Sequence, residues 1–285
     1  MSRRLRELIA QRCIAMPGVP NALFARQVER AGFDAVYVSG AGMANATAGV
    51  PDIGLLGMNE VVRLAGYIAQ AISIPAIVDA DTGFGGAENV ARTIRELEAA
   101  GLAGCHIEDQ EFPKRCGHLA GKSIVDLAEM QAKIEAALAA RRDPEFLIIA
   151  RTDARALEGF DGAVKRARAY IDSGADAIFP EALQSADEFR EFAEQIEAPL
   201  LANMTEFGKS PLLGYEELAG YGYRMVIYPM SALRVAMRAS DEFLRELKKR
   251  GTQSGWLEHM QTRQQLYELL EYDPAADTWP GFRAR

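Results

Sequence analysis

Short apolar runs of β-branched and small residues recur along the chain, each bounded by Gly, Pro or Asp. They predict eight strands, over 14–19, 35–40, 75–81, 104–110, 146–153, 177–182, 199–204 and 224–229. Stretches with helical periodicity lie between them. Strand and helix alternating in this way predict a parallel sheet, and eight units in 285 residues predict a closed (β/α)8 TIM-type barrel of the α/β class. A weak internal repeat points the same way. Ala31-Gly32-Phe33-Asp34-Ala35, Ala100-Gly101-Leu102-Ala103-Gly104 and Ser173-Gly174-Ala175-Asp176-Ala177 each stand where a helix should end before a strand, with Gly as the left-handed cap. The alternative, an open doubly wound sheet, lacks its Gly-x-Gly-x-x-Gly after the first strand.

Residues 1–12 read as a short basic amphipathic helix and not as a signal segment. Past Pro229 the pattern is almost wholly helical, over 238–249 and 256–270. That is more than closing a barrel requires. A single domain over 1–285 is therefore expected, with a C-terminal helical extension from about 235 that packs on a neighbouring subunit.

Composition narrows the partners. A net charge of −8 leaves no basic stripe, so nucleic acid is not expected. No run approaches the roughly 20 apolar residues of a membrane span, so no membrane is expected either. Three cysteines, Cys13, Cys105 and Cys116, make no paired framework and fit a reducing cytoplasm. A small anionic substrate would need locally placed Arg and Mg²⁺ against the global charge.

Polar residues cluster at the C-terminal ends of the predicted strands: Ser39, Asp79, Asp81, Glu108, Asp109, Arg151, Asp153, Glu181, Asn203 and Thr205. In a β/α barrel that rim is the active-site face. Period-two alternation would put Asp79 and Asp81 on one strand face, where two carboxylates repel unless a cation lies between them. An oxygen-only site suits Mg²⁺, with Mn²⁺ as a substitute; Asp52 and Glu108 would complete the shell through water. His106 shares the face of Glu108 and reads equally as a site residue or a hydrogen-bonded core histidine. Cys13 and Cys105 read as small buried hydrophobes. The segment Lys114-Arg115-Cys116-Gly117-His118-Leu119-Ala120-Gly121-Lys122 surrounds one thiol with cations, which lowers its pKa and suits it to proton transfer or nucleophilic attack.

These motifs carry a resemblance. Val78-Asp79-Ala80-Asp81-Thr82-Gly83-Phe84-Gly85, His106-Ile107-Glu108-Asp109-Gln110, the Lys-Arg-Cys-Gly-His loop and Ile149-Ala150-Arg151-Thr152-Asp153-Ala154 resemble the isocitrate lyase/phosphoenolpyruvate mutase superfamily. The Cys-Gly-His loop is similar to its lyase branch. Phe179-Pro180-Glu181-Ala182, Ala202-Asn203-Met204-Thr205-Glu206-Phe207-Gly208, Tyr228-Pro229-Met230-Ser231-Ala232-Leu233-Arg234 and Met260-Gln261-Thr262-Arg263 look like the 2-methylisocitrate lyase family. Isocitrate lyases proper are much longer. One departure is Ser39-Gly40-Ala41-Gly42, where that family usually reads Ser-Gly-Gly-Gly.

The resemblance implies Mg²⁺-dependent retro-aldol cleavage of 2-methylisocitrate to pyruvate and succinate. It implies that Ser39, the Gly40 and Ala41 amides and Arg151 hold the pyruvate end. Gly117, Glu181, Asn203, Met204, Thr205, Arg234 and Arg263 would cradle the other end. Cys116 would be the general acid, with Lys114 and His118 beside it, and Tyr37 is the candidate base, a core tyrosine being its other reading. A homotetramer with exchanged C-terminal helices is implied as well. Related substrates, 2,3-dimethylmalate or isocitrate, stay open, as does a non-catalytic barrel serving as a binding module.

Overall fold

Val, Ile and Ala fill the strand positions and pair side by side as expected. The structure, a computed structural model, describes residues 1–281 apart from Cys116 and Ala120. Its strands are β1 (Ile14–Val19), β2 (Val36–Val38), β3 (Ala76–Asp79), β4 (Gly104–Glu108), β5 (Leu147–Thr152), β6 (Ala177–Pro180), β7 (Leu201–Asn203) and β8 (Met225–Tyr228). The helices are α1 (Ser2–Gln11), α2 (Ala22–Arg30), α3 (Gly40–Met43), α4 (Met58–Ala71), α5 (Ala87–Ala100), α6 (Leu127–Ala140), α7 (Gly159–Asp172), α8 (Ala186–Gln195), α9 (Tyr215–Tyr221), α10 (Ser231–Arg250) and α11 (Arg263–Leu270). All strand pairs are parallel, in the order β6-β5-β4-β3-β2-β1-β8-β7. A bridge between Ile178 and Leu200 joins the two outer strands, giving a nearly closed (β/α)8 barrel.

Period-two alternation divides the core in two. Met16, Tyr37, Ile77, Ile149, Phe179, Leu201, Met225 and Ile227 fill the barrel interior, and α1 drives Leu5 and Ile9 into that cluster. Arg4 and Arg6 donate to the Ser73 and Glu145 carbonyls, so α1 covers the N-terminal end of the strands. The outward residues, among them Val38, Val78, Cys105, Ile148 and Val226, pack under the helices. Cys13 and Cys105 are both buried, as small hydrophobes would be.

The repeat behaves as predicted: Gly32, Gly101 and Gly174 adopt φ of 87°, 90° and 96° where α2, α5 and α7 end. The strands are shorter than the apolar runs, because several runs finish in turns that aim side chains at the mouth. The tail also differs from the expected pattern. Its first helix begins at Ser231, and the run expected over 256–270 breaks into a 3-10 turn at Ser254–His259 and α11. Thr262 forms a capping box with Gln265, starting α11 afresh. α11 returns to its own barrel, where buried Arg26 of α2 donates to the Leu269 carbonyl at 3.2 Å.

Candidate active site

Register sets the charges at the C-terminal mouth. Asp79 pairs in register with His106, and Glu108 with Arg151 two residues further along β4, so the four polar side chains occupy two successive levels of the barrel.

On one side β2 ends at Val38 and Ser39 caps α3, its Oγ accepting from Gly42 N at 3.0 Å. Ala41 lies inside this helical turn and is not among the positive-φ residues, so its methyl group carries no backbone strain. A Cβ at Gly40 would stand 2.7 Å from Asp79 Oδ2, so the chain passes close against that carboxylate. The expected period-two pairing of Asp79 and Asp81 is corrected here. β3 stops at Asp79, and Asp81 sits in a turn with φ 47°. The turn forms because Asp79 Oδ1 accepts from Asp81 N at 3.0 Å, an Asx-type bond that competes with continuing the ladder. It brings the second carboxylate back toward the first by curvature, not by alternation.

Lys114 is buried against this pair. Its ammonium hydrogen-bonds Asp52 and stands 2.7 Å from Asp81 Oδ1 as an ion pair. Burial works against the Lys114 charge, but Asp79, Asp81, Glu108 and Asp52 outweigh it and raise the pKa well above the lysine range. Lys114 is therefore a fixed cation in this arrangement and holds its proton. Burial, helped by Asp79, pushes Asp81 up to about 6. Burial also raises Asp79, but opposing charges outweigh it and hold that carboxyl below its usual range. His106 is pushed down to about 4 by burial and is neutral at pH 7. The opposing groups at Asp79 are His106 in its charged form, then Lys114 and Arg151, with the Asp81 amide donating as well.

A hard divalent cation fits this donor set. Among the described residues no three carboxylate, thiol or imidazole groups are placed to hold a metal ion together, and Asp79 and Asp81 are the two carboxylates that the turn brings to one place. Glu108 Oε1 is buried with no hydrogen-bond partner, and burial raises the Glu108 pKa well above the usual range, so a cation nearby would relieve both.

Tyr37 lies below the aspartates, 3% exposed, its hydroxyl 2.9 Å from His106 Nε2. Burial, then Asp79, raises its pKa well above 10. A phenol so held has almost no phenolate at neutral pH, so its hydroxyl could take up a proton only by passing its own to His106 Nε2. Stacked on His106 and braced by Phe179, it supports the layer above.

The other side of the mouth is a closed ion network. Arg151 Nε donates to Asp153 Oδ2 at 2.9 Å, and its guanidinium lies 3.1 Å from Glu108 Oε2 and 3.5 Å from Glu181 Oε2. Burial opposes ionisation of Glu181, but Arg151 and His118 hold its carboxyl well below the usual range. Asn203 donates to Glu181 at 3.2 Å and leaves its buried Oδ1 without a partner. Gly117 packs onto this network so tightly that a Cβ would be 2.4 Å from Glu181 Cγ and 2.6 Å from Arg151 Nη2.

Several expected contacts fall elsewhere. Met204 follows Asn203 and points outward into the helix-facing core, so only its backbone can reach the mouth. Thr205 is half-buried behind it. Arg234 is 45% exposed, 3.4 Å from Glu206 and over the Phe207 ring. Arg263 is exposed on α11, whose packing is against α2, so its own chain does not carry it to the mouth. Cys116 lies outside the described residues. One residue escaped the sequence reading: Lys122, whose buried ammonium donates to the Gly117 carbonyl and Asp153; Asp153, read only as a rim residue with no role, is the anchor of Arg151. The signal was present, since Lys122 stands in a motif already quoted, but nothing in spacing shows a buried pair.

Comparison with known proteins agrees with this geometry. The family model for phosphoenolpyruvate phosphomutase matches residues 5–248. The chain is 51% identical over 269 residues to a 2-methylisocitrate lyase of Aeropyrum pernix, covering 94% of this chain and 86% of that one. A solved 2,3-dimethylmalate lyase, described as a PEP mutase/isocitrate lyase superfamily member, aligns with TM-score 0.88 at 39% identity over 94% of this chain and 89% of its own. Phosphonopyruvate hydrolase solved with oxalate and Mg²⁺ aligns with TM-score 0.85 at 33% identity over 94% of each chain. By sequence and by fold, this chain belongs to the phosphoenolpyruvate mutase/isocitrate lyase superfamily, with 2-methylisocitrate lyases among its relatives.

Proposed function

We propose that this protein is a Mg²⁺-dependent carbon–carbon lyase that cleaves 2-methylisocitrate to pyruvate and succinate, within the methylcitrate cycle of propionate catabolism. The observation that carries the reading is the division of one barrel mouth. The Asp79–Asp81 turn and the start of α3 stand on one side, and Arg151 with Glu181 and Asn203 on the other.

Asp79 and Asp81 would hold the ion directly, with Asp52 and Glu108 through water. Bound Mg²⁺, or Mn²⁺ in its place, supplies Lewis acidity that lowers the pKa of the substrate hydroxyl and stabilises the oxygen charge as the bond breaks. Ser39 and the Gly40 and Ala41 amides, which have no helical acceptor at the start of α3, bind the pyruvate carboxylate with Arg151. Asp153 and Glu108 fix the plane of that guanidinium, so its fork is oriented before substrate arrives. Breaking the C–C bond sends the hydroxyl proton to the Tyr37 hydroxyl, whose own proton passes to His106 Nε2. It leaves an electron pair on the succinate-side carbon, to which Cys116 gives a proton once the loop excludes water. Asn203 Oδ1 and the Gly117 backbone face the same end.

The whole chain is proposed as one domain acting in the cytoplasm. Among the described residues no helix is long and apolar enough to cross a membrane. A homotetramer is supported by α10, which leaves Met237 and Leu244 on one face 55% and 54% exposed and Val235 on the opposite face 71% exposed. Exchange of α10 between subunits would cover both faces. Arg263 stays a proposed substrate contact only across such an interface.

Purified protein assayed with Mg²⁺ and 2-methylisocitrate, 2,3-dimethylmalate or isocitrate tests the reading. The first two release pyruvate and the third glyoxylate. The highest kcat/KM is expected for 2-methylisocitrate. One methyl group is worth only about 1–3 kcal/mol, so the margin is expected to be about 10- to 200-fold. A higher value with either other acid overturns the substrate.

A further inference from the structure

His118 stands between two loops of the mouth. Its Nδ1 is 3.0 Å from the backbone nitrogen of Lys209, and an amide N–H can only donate, so Nδ1 is a bare acceptor. Its Nε2 is 2.8 Å from Glu181 Oε1 and therefore carries the hydrogen and donates it. Asn203 Nδ2, 3.5 Å from the same nitrogen, gives its hydrogens to Glu181 instead. Both ring nitrogens are thus committed to protein, one to each loop partner.

The ring reaches Lys209 because Gly208 has no side chain. A Cβ there would lie 2.6 Å from Nδ1, 2.9 Å from Cε1 and 3.0 Å from Cγ. Gly208 is not in the left-handed region, so the backbone does not demand glycine at this place. The ring does. The receiving loop is itself anchored: Ser231 Oγ donates to Glu206, the Arg234 guanidinium lies over Phe207, and Leu213 N donates to Met204 Sδ at 3.3 Å. Downstream, Lys122 ties the Gly117 carbonyl to Asp153.

We infer that His118 is a positioning residue and not a proton-transfer group: it latches the Lys114–Lys122 loop shut by seating its ring on Gly208 and bridging Glu181 to the Lys209 amide. The inference rests on the lyase reading only for what the closed loop encloses. A ring whose Nδ1 accepts from the Lys209 amide and whose Nε2 donates to Glu181 offers neither nitrogen to substrate until the loop opens. Closure then depends on a residue with no chemistry, Gly208, in an exposed loop on another strand.

The test uses Gly208→Ala, His118→Ala and the double variant, with two readouts. Iodoacetamide labelling of Cys116 in the unliganded protein, followed by the mass of its peptide, reads loop opening; Cys13 and Cys105 are buried and serve as internal references. Steady-state turnover reads closure during reaction. Gly208→Ala is expected to label at least about fivefold faster and to lose about tenfold in kcat, with pyruvate affinity within about twofold of wild type. In the His118→Ala background the alanine at 208 should add nothing, because the ring it displaces is gone. Wild-type labelling and kcat in Gly208→Ala, or additive effects in the double variant, overturn the latch. A protein that cleaves none of the three acids but shows this labelling pattern overturns the proposed activity and keeps the latch.

Discussion

The two ends of the barrel solve opposite problems. At the N-terminal end α1 plugs the strands with Leu5 and Ile9, and Asp176 accepts from Ile148 N at 2.8 Å and from Arg141 at 2.6 Å with Arg6 2.8 Å away. These charges have short partners, and the side chains that α1 drives into the barrel are apolar. At the C-terminal end Glu108, Asn203 and His106 keep buried polar atoms without hydrogen bonds. Four non-glycine residues at that end, Asp81, Phe84, Ala182 and Phe207, adopt positive φ. Such residues each store of order 1–3 kcal/mol, which the rest of the fold must offset. The contrast teaches that this protein concentrates its strain and unsatisfied charge where a ligand can relieve them, and takes its stability from the other end.

Substitutions at the two ends should therefore separate activity from stability. Asp81→Ala is expected to lower Mg²⁺-stimulated pyruvate release by at least about a thousandfold with only a small change in Tm, since Asp52 still pairs with buried Lys114. Normal stimulation by Mg²⁺ in that variant would break the comparison at its strongest point. Cys116→Ser should lower kcat by more than about a hundredfold with the fold intact, and near-native turnover would remove the thiol from the acid role. Leu5→Ala, at the plugged end, should lose about 2–5 kcal/mol in denaturant unfolding with kcat unaffected at a temperature where the variant stays folded.

A smaller effect sits between the ends, at His106. Burial depresses its pKa from 6.5 to about 4, so as pH falls the unfolded chain takes up this proton first. The associated stability is complete above 6.5 and is lost as pH falls toward 4, on the order of 3 kcal/mol from this group alone. Unfolding curves of wild type and His106→Gln across that window should converge as pH falls; parallel curves would show that another group carries the acid limb. Smallest of all, Ala41→Gly should cost about 0.5–1 kcal/mol, because the position is helical and glycine gains backbone freedom in the unfolded chain. A stabilised variant would mean that the methyl group is strained.

Much of the barrel was legible in advance. The eight apolar runs, the three glycine caps and the clustering of polar residues at strand ends are local patterns, and each survived folding. Strand ends were less legible, since Ser39 and Asp81 leave the ladder for side-chain bonds that no periodicity registers. The same limit hid Lys122 and the role of Asp153, and it left the roles of Tyr37, Lys114 and His118 open. Burial decides whether a phenol, an ammonium or an imidazole is available for proton transfer, and burial is a property of neighbours distant in sequence. Met204 and Arg263 sat in family-like motifs, yet alternation turned one side chain outward and helix packing carried the other to the outside.

By itself the chain determined its alternating strands and helices, its caps and the chemical types gathered at one rim, because these depend on residues within a turn or two of each other. Only the closed barrel decided which carboxylates face each other, which cations neutralise them and which histidine nitrogen is occupied. Those outcomes depend on distances of a few ångströms between loops up to about a hundred residues apart, and on the water their closure removes.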